Sequence, residues 1–119
     1  MSDIKRIDPI EGKLSDAVEH NGIIYLAGQV AGNLNAGMKE QAEDVLRQID
    51  ALLAKCGSHK SRILTATVYV NDMALKPQMD EAWMAWVDQR NPPARATVEV
   101  QLGSRDTLVE IMCTAAKNT

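Results

Sequence analysis

Phenylalanine is absent from this sequence, and two tryptophans and two tyrosines are the whole aromatic supply of its 119 residues. A surface that stacks nucleobases needs more exposed rings than that, so single-stranded nucleic acid is a poor partner on composition. Positive charge is also short: 13 Lys and Arg against 16 Asp and Glu leave a net charge of −3, which argues against a broad phosphate-binding surface. No run of 18 apolar residues occurs, so a membrane-spanning helix is excluded. The N-terminal stretch MSDIKRIDPIEGKL lacks the apolar core of a secretory signal, and a cytoplasmic location is the expectation. The only two cysteines, Cys56 and Cys113, show no framework spacing and fall in apolar-patterned segments, as buried free thiols do.

Other absences narrow the chemistry. His20 and His59 stand at no metal-ligand spacing with the cysteines or an acidic pair, and both read as exposed loop residues. AGQVAGNLNAG lacks both G-x-G-x-x-G and the Lys-Ser/Thr of a phosphate loop, and no G-x-S-x-G elbow occurs. Metal chemistry and covalent serine chemistry are therefore not expected.

What is present reads as one α+β domain spanning 1–119, a length that supports one core and not two. DAVEH and IIYLAGQV flank Asn21-Gly22, a strong hairpin signal, and Ile4 to Ile7 can add an edge strand. From Met38, Ala42, Val45, Leu46, Ile49, Leu52 and Leu53 recur at helical spacing, with Gly57 beyond the last turn. SRILTATVYVND (61–72) predicts a strand, and Lys76 to Gln89 a second helix with Pro77 in its first turn. Met79, Ala82, Trp83, Trp86 and Val87 share one stripe of that helix; it reads as a face buried on the sheet, with ligand stacking as the alternative. The loop RNPP, a strand ATVEVQL, the turn GSRD and a final strand TLVEIMCTAA complete the order. Helices separated by strands argue for a mixed sheet with two helices on one face. Met112 and Leu108 alternate with Val109, Ile111 and Cys113, so the opposite face carries apolar residues too and calls for a second cover, most simply another copy of the chain.

Arginine and carboxylate are the chemistry that remains. Asn91-Pro92-Pro93 stiffens the approach to Arg95, which stands just before a run of β-formers. If the last two strands pair through GSRD, Glu110 falls near Glu99 and Arg95 near Thr114, leaving Arg95 roughly 13 Å from Glu110 along the sheet. In that register the two serve one site only if Glu110 comes from a neighbouring subunit. On residue chemistry alone, Arg95 reads first as a surface or structural arginine, with a ligand clamp as the alternative.

The whole chain resembles the RidA/YjgF family of enamine/imine deaminases, and most closely its short YoaB-like members. The resemblance is carried by Ala27-Gly28-Gln29, the helix 38–56, ILTATVYVND, Val109-Glu110-Ile111 and, most specifically, Pro93-Ala94-Arg95-Ala96-Thr97-Val98-Glu99-Val100. It implies a chorismate-mutase-like fold: a homotrimer whose sheets form a central barrel-like core, with ligand clefts between subunits. It further implies hydrolysis of 2-aminoacrylate and related 2-imino acids to 2-keto acids and ammonia, with no cofactor. Arg95 would hold the substrate carboxylate and Glu110 the hydrolytic water, while Leu14, Ala27, Gly28 and Thr97 fall at substrate-binding positions. Three of these depart from the better-known deaminases: Leu14 replaces a tyrosine, Ala27 a small hydroxyl residue, and Thr97 a frequent cysteine. A non-catalytic binder or sensor of small carboxylates is the alternative on the same cleft. Ribonuclease activity fits poorly with the charge and the few aromatics.

Overall fold

The structure, a computed structural model, describes residues 3–119, so the first two positions of the 1–119 reading lie outside the described residues. Its elements are β1 (Lys5–Ile10), β2 (Leu14–His20), β3 (Ile23–Leu26), β4 (Gln29–Val30), α1 (Met38–Lys55), β5 (Ile63–Val70), α2 (Lys76–Trp86), β6 (Ala94–Glu99) and β7 (Val109–Ala116). They form the expected α+β arrangement: one mixed sheet in the order β1-β2-β3-β7-β5-β6, with β4 continuing along β7 beyond β3. No helix among the described residues is long and apolar enough to cross a membrane.

Local signals act as their chemistry dictates. Asn21 (φ 52°) and Gly22 (φ 78°) both take the left-handed conformation, as a two-residue turn twisted to match its strands requires. The α1 stripe, Ala42 to Leu53, is buried against the sheet, and Gln41 is buried beside it. Burying an amide is tolerable because every group finds a partner. Gln41 Nε2 donates to the carbonyls of Ala36 and Asp106 (3.0 Å each), and its Oε1 accepts from the Leu108 N–H (3.1 Å). One side chain thereby ties α1 to the loops on either side of it.

Some boundaries and one register differ from the sequence reading. The 61–72 strand begins at Ile63, because Lys60–Arg62 form a 3-10 turn whose N-cap is the His59 side chain. His20 sits not in a loop but at the end of β2, half-buried and opposite Ile23. Helix α2 stops at Trp86, three residues early: Val87 is extended, and the Asp88 carboxylate accepts from the Arg90 and Asn91 N–H groups instead. Such a side-chain-closed turn competes with a further helical turn.

The larger correction concerns the last two strands, which do not pair. β6 runs parallel to β5, and β5 separates it from β7. Glu110 lies opposite Tyr69 and Val30 rather than near Glu99; Arg95 lies opposite Ala66 rather than near Thr114. A parallel partner needs a long crossover, and α2 supplies one; the segment after β6 then crosses the end of β5 instead of closing a hairpin.

The inward residues of β5 and β7, such as Val68, Val70, Ile111 and Cys113, join the helices in one core. The other face carries no helix, and Tyr25, Val98 and Met112 on it are 41–47% exposed. The apolar second face read from the alternation is therefore present and uncovered in the single chain.

Candidate functional site

Arg95 is placed by strand pairing. Residues in register on parallel neighbours point to the same face, and Arg95 is in register with buried Ala66, so its side chain turns toward the helices. There its Nη2 donates to Asp80 Oδ1 at 2.8 Å, and its guanidinium carbon lies 5.2 Å from the centre of the Trp83 ring. Asp80 and Trp83 are neighbours on one face of α2 at i, i+3. Lys76, one turn before Asp80, donates to the other carboxylate oxygen at 2.5 Å. Trp83 is buried as the stripe predicted, yet its ring also serves as the platform on which Arg95 lies. Trp86 packs on Trp83 with centroids 5.5 Å apart and donates from Nε1 to Asp50 on α1 (2.8 Å), which fixes α2 against the core.

This pairing sets the charge state of Asp80. Burial pushes its carboxyl up, but the hydrogen bonds from Lys76 and Arg95 outweigh that and hold it below the ordinary value of 3.8. A carboxyl depressed by folding contributes stability that is present above pH 3.8 and lost as pH falls through its folded value. Asp80→Asn is therefore expected to lower the urea midpoint at pH 6, and the gap from wild type should narrow as pH falls below 3.8. A gap that stays constant over that range would show that the charge of Asp80 contributes nothing.

Thr97 follows Arg95 on the same side of β6. Its Oγ1 is buried and has no hydrogen-bond partner among the described residues, as is true of Asn71 Oδ1. The Thr97 hydroxyl is thus a donor that the described residues leave unsatisfied.

Glu110 belongs to the opposite face. It alternates with buried Val109 and Ile111, so it projects from the side without helices. Four steps from Tyr25 to Gln29 face only three from Thr114 to Ile111, so a bulge occupies the junction of β3 and β4. Ala27-Gly28 is that junction, and the Ala27 N–H donates to the Asp16 carbonyl (2.8 Å). The Glu110 carboxylate lies directly over Gly28: a Cβ there would come within 2.9 Å of its Cδ, and nearer still to Oε2. Gly28 has no positive φ, so its missing side chain serves close approach rather than backbone shape. Leu14 stands exposed two residues before Asp16 on β2.

The chain thus holds two groups of residues. Ala27, Gly28 and Glu110 meet at the β3–β4 bulge, with Leu14 exposed on neighbouring β2; Arg95 and Thr97 stand on the far edge strand. Arg95 is level with Cys113, two strands across, and Glu110 is three residues further along β7. Their Cα atoms are therefore roughly 14 Å apart, with side chains on opposite faces. One copy of the chain cannot bring the guanidinium and the carboxylate to one small ligand.

Sequence reasoning missed Asp80 as the partner of Arg95. Its only local sign was the i, i+3 spacing to Trp83. The cysteines offer no chemistry here: both are free and buried, and burial pushes the Cys113 thiol up to about 12. Among the described residues, no group of three or more His, Cys, Asp or Glu is placed to hold a metal ion.

Comparison with known proteins covers nearly the whole chain. The family model described as endoribonuclease L-PSP matches residues 4–117. A RutC family protein of Haemophilus ducreyi is 44% identical over 115 residues, covering 97% of each chain. The RutC family protein YoaB of Escherichia coli is 44% identical over 113 residues, 95% of this chain and 97% of that one. The crystal structure of a YjgF family member from Neisseria meningitidis superposes with a TM-score of 0.92 at 42% identity, covering 98% of this chain and 97% of the other.

Proposed function

The chain belongs to the RutC/YjgF family, and on that premise we propose that it hydrolyses small 2-imino acids to 2-keto acids and ammonia in clefts between the subunits of a homotrimer. The observation that supports this most is the division of the two groups. Arg95 uses one guanidinium nitrogen on Asp80 and keeps the rest of its fork, while Glu110 sits on an uncovered sheet face, its carboxylate over a glycine. A second copy seated on that face would bring one group to the other and cover Tyr25, Val98 and Met112.

The steps follow from the groups. The enamine takes a proton at carbon and becomes the imine. Arg95 pairs with the carboxylate next to the C=N carbon; a planar, permanently charged fork fits a carboxylate and fixes which carbon faces the water. Glu110 accepts a proton from that water as its oxygen bonds to the imine carbon and the C=N pair moves to nitrogen. Glu110 then returns that proton to nitrogen, and as the C–N bond breaks Glu110 passes the hydroxyl proton of the adduct to the departing nitrogen, so that ammonia leaves and the carbonyl forms. Thr97 supplies the unpaired hydroxyl beside the bound carboxylate.

The name of the matching family model raises a ribonuclease reading, which would need a phosphate-binding surface that a chain of net charge −3 is poorly suited to provide. The experiment that tests the deaminase reading couples a serine/threonine dehydratase, which releases 2-aminoacrylate, to this protein. Wild type should speed pyruvate formation beyond the rate in buffer, and Arg95→Ala should not. A wild type without effect on several imino acids would leave the non-catalytic binder as the better reading.

A further inference from the structure

We propose that Asp80 sets the strength and selectivity with which Arg95 grips a carboxylate, by standing within the chain as a competing anion. The inference rests on the reading of Arg95 as a carboxylate-binding group. Asp80 is not one of the sequence-predicted site residues, but it makes the only hydrogen bond to the Arg95 guanidinium among the described residues.

The geometry separates two effects. First, Asp80 aims the arginine. It is held by Lys76 at 2.5 Å and in turn holds Nη2 at 2.8 Å, while the Trp83 ring lies 5.2 Å from the guanidinium carbon. Side chains of Asp80 and Arg95 are 23% and 21% exposed, so the pair is sheltered from full solvent screening yet open to a ligand. Second, Asp80 cancels charge. A ligand carboxylate approaching the remaining Arg95 donors meets a negative charge already bound to the same fork. Lys76, Asp80 and Arg95 together present one net positive charge where Lys76 and Arg95 alone would present two.

A site tuned in this way holds a monocarboxylate weakly and releases it readily. It also disfavours dianions, which gain most from uncompensated positive charge and are repelled most by Asp80. For a protein that discharges 2-keto acids after each turnover, a loose grip on the product carboxylate favours release.

Asn and Ala separate aiming from charge. Asp80→Asn keeps an oxygen for the Arg95 Nη2 and removes the charge; Asp80→Ala removes both. The test titrates pyruvate, the dianion oxaloacetate and the neutral amide pyruvamide into wild type, Asp80→Asn, Asp80→Ala and Arg95→Ala, following tryptophan fluorescence, with thermal melts to confirm folding. Asp80→Asn should bind pyruvate roughly three- to tenfold more tightly, gain more for oxaloacetate, and change little for pyruvamide. Asp80→Ala should gain less than Asp80→Asn, because the arginine loses its aim. A merely structural role would not distinguish a carboxylate from its amide. Pyruvate affinity that is unchanged or weaker in a folded Asp80→Asn protein, with Arg95→Ala still abolishing binding, overturns the proposal while leaving the reading of Arg95 intact. Pyruvate binding that survives Arg95→Ala overturns that reading and this inference with it.

Discussion

Gly28→Ala is expected to cut imino-acid turnover by about a hundredfold while leaving the melting temperature within a few degrees of wild type. Gly28 does not use a left-handed φ, so alanine brings no backbone strain at this position. The new methyl instead enters the space of the Glu110 side chain, within 2.9 Å of Cδ and 3.2 Å of Cγ. These atoms lie toward the free end of a flexible side chain, so the carboxylate can swing away at little cost in stability. The swing moves the group proposed to position water, and a displacement of about 1 Å at a reacting centre costs on the order of 10²-fold in rate. Enzyme assays paired with thermal melts read both quantities. A Gly28→Ala protein with full turnover would remove Glu110 from the reaction; one that fails to fold would show that the bulge itself needs the glycine.

Glu110→Gln should be more severe. Glutamine is nearly isosteric and stays hydrogen-bonding, so it keeps the shape of the open face, but it cannot accept a proton from water. General-base contributions of this kind amount to about 10²–10⁴-fold, and turnover is expected to fall within that range. Binding of pyruvate should persist, because the proposed carboxylate-binding group is Arg95 on the other face. Loss of turnover together with loss of pyruvate binding would instead assign Glu110 to ligand binding, and unchanged turnover would exclude it as the base.

Legibility from sequence followed the range of the interactions. Helix α1 and the Asn21-Gly22 turn depend on residues within a few positions of each other, and the apolar spacing and the turn pair were enough to find them. The alternation along β7 also told which residues face the core, since that pattern belongs to the strand itself. Which strand lies beside β7 is a different kind of fact. It depends on α2 carrying the chain across so that β6 arrives parallel to β5, and adjacency in sequence suggested the wrong neighbour. The same limit hid the surroundings of the candidate residues. Asp80 reaches Arg95 only because α2 lies over the edge of β6, and Glu110 rests on Gly28 only because β4 continues along β7 through a bulge. Arg95 and Glu110 were marked by resemblance, not by their chemistry, and a lone arginine before a strand says nothing of the face it takes.

The two-face arrangement gives the central claim its sharpest consequence: each working cleft takes Arg95 from one subunit and Glu110 from the next. Co-expressed Arg95→Ala and Glu110→Gln chains, each inactive alone, test it directly. In a randomly mixed cyclic oligomer, a cleft pairing the Arg95 of a Glu110→Gln chain with the Glu110 of an Arg95→Ala chain is intact, and roughly a quarter of the clefts should be of that kind. Turnover of the mixed oligomer at about a quarter of wild type is the predicted result. Mixed oligomers as inactive as either parent would contradict the claim.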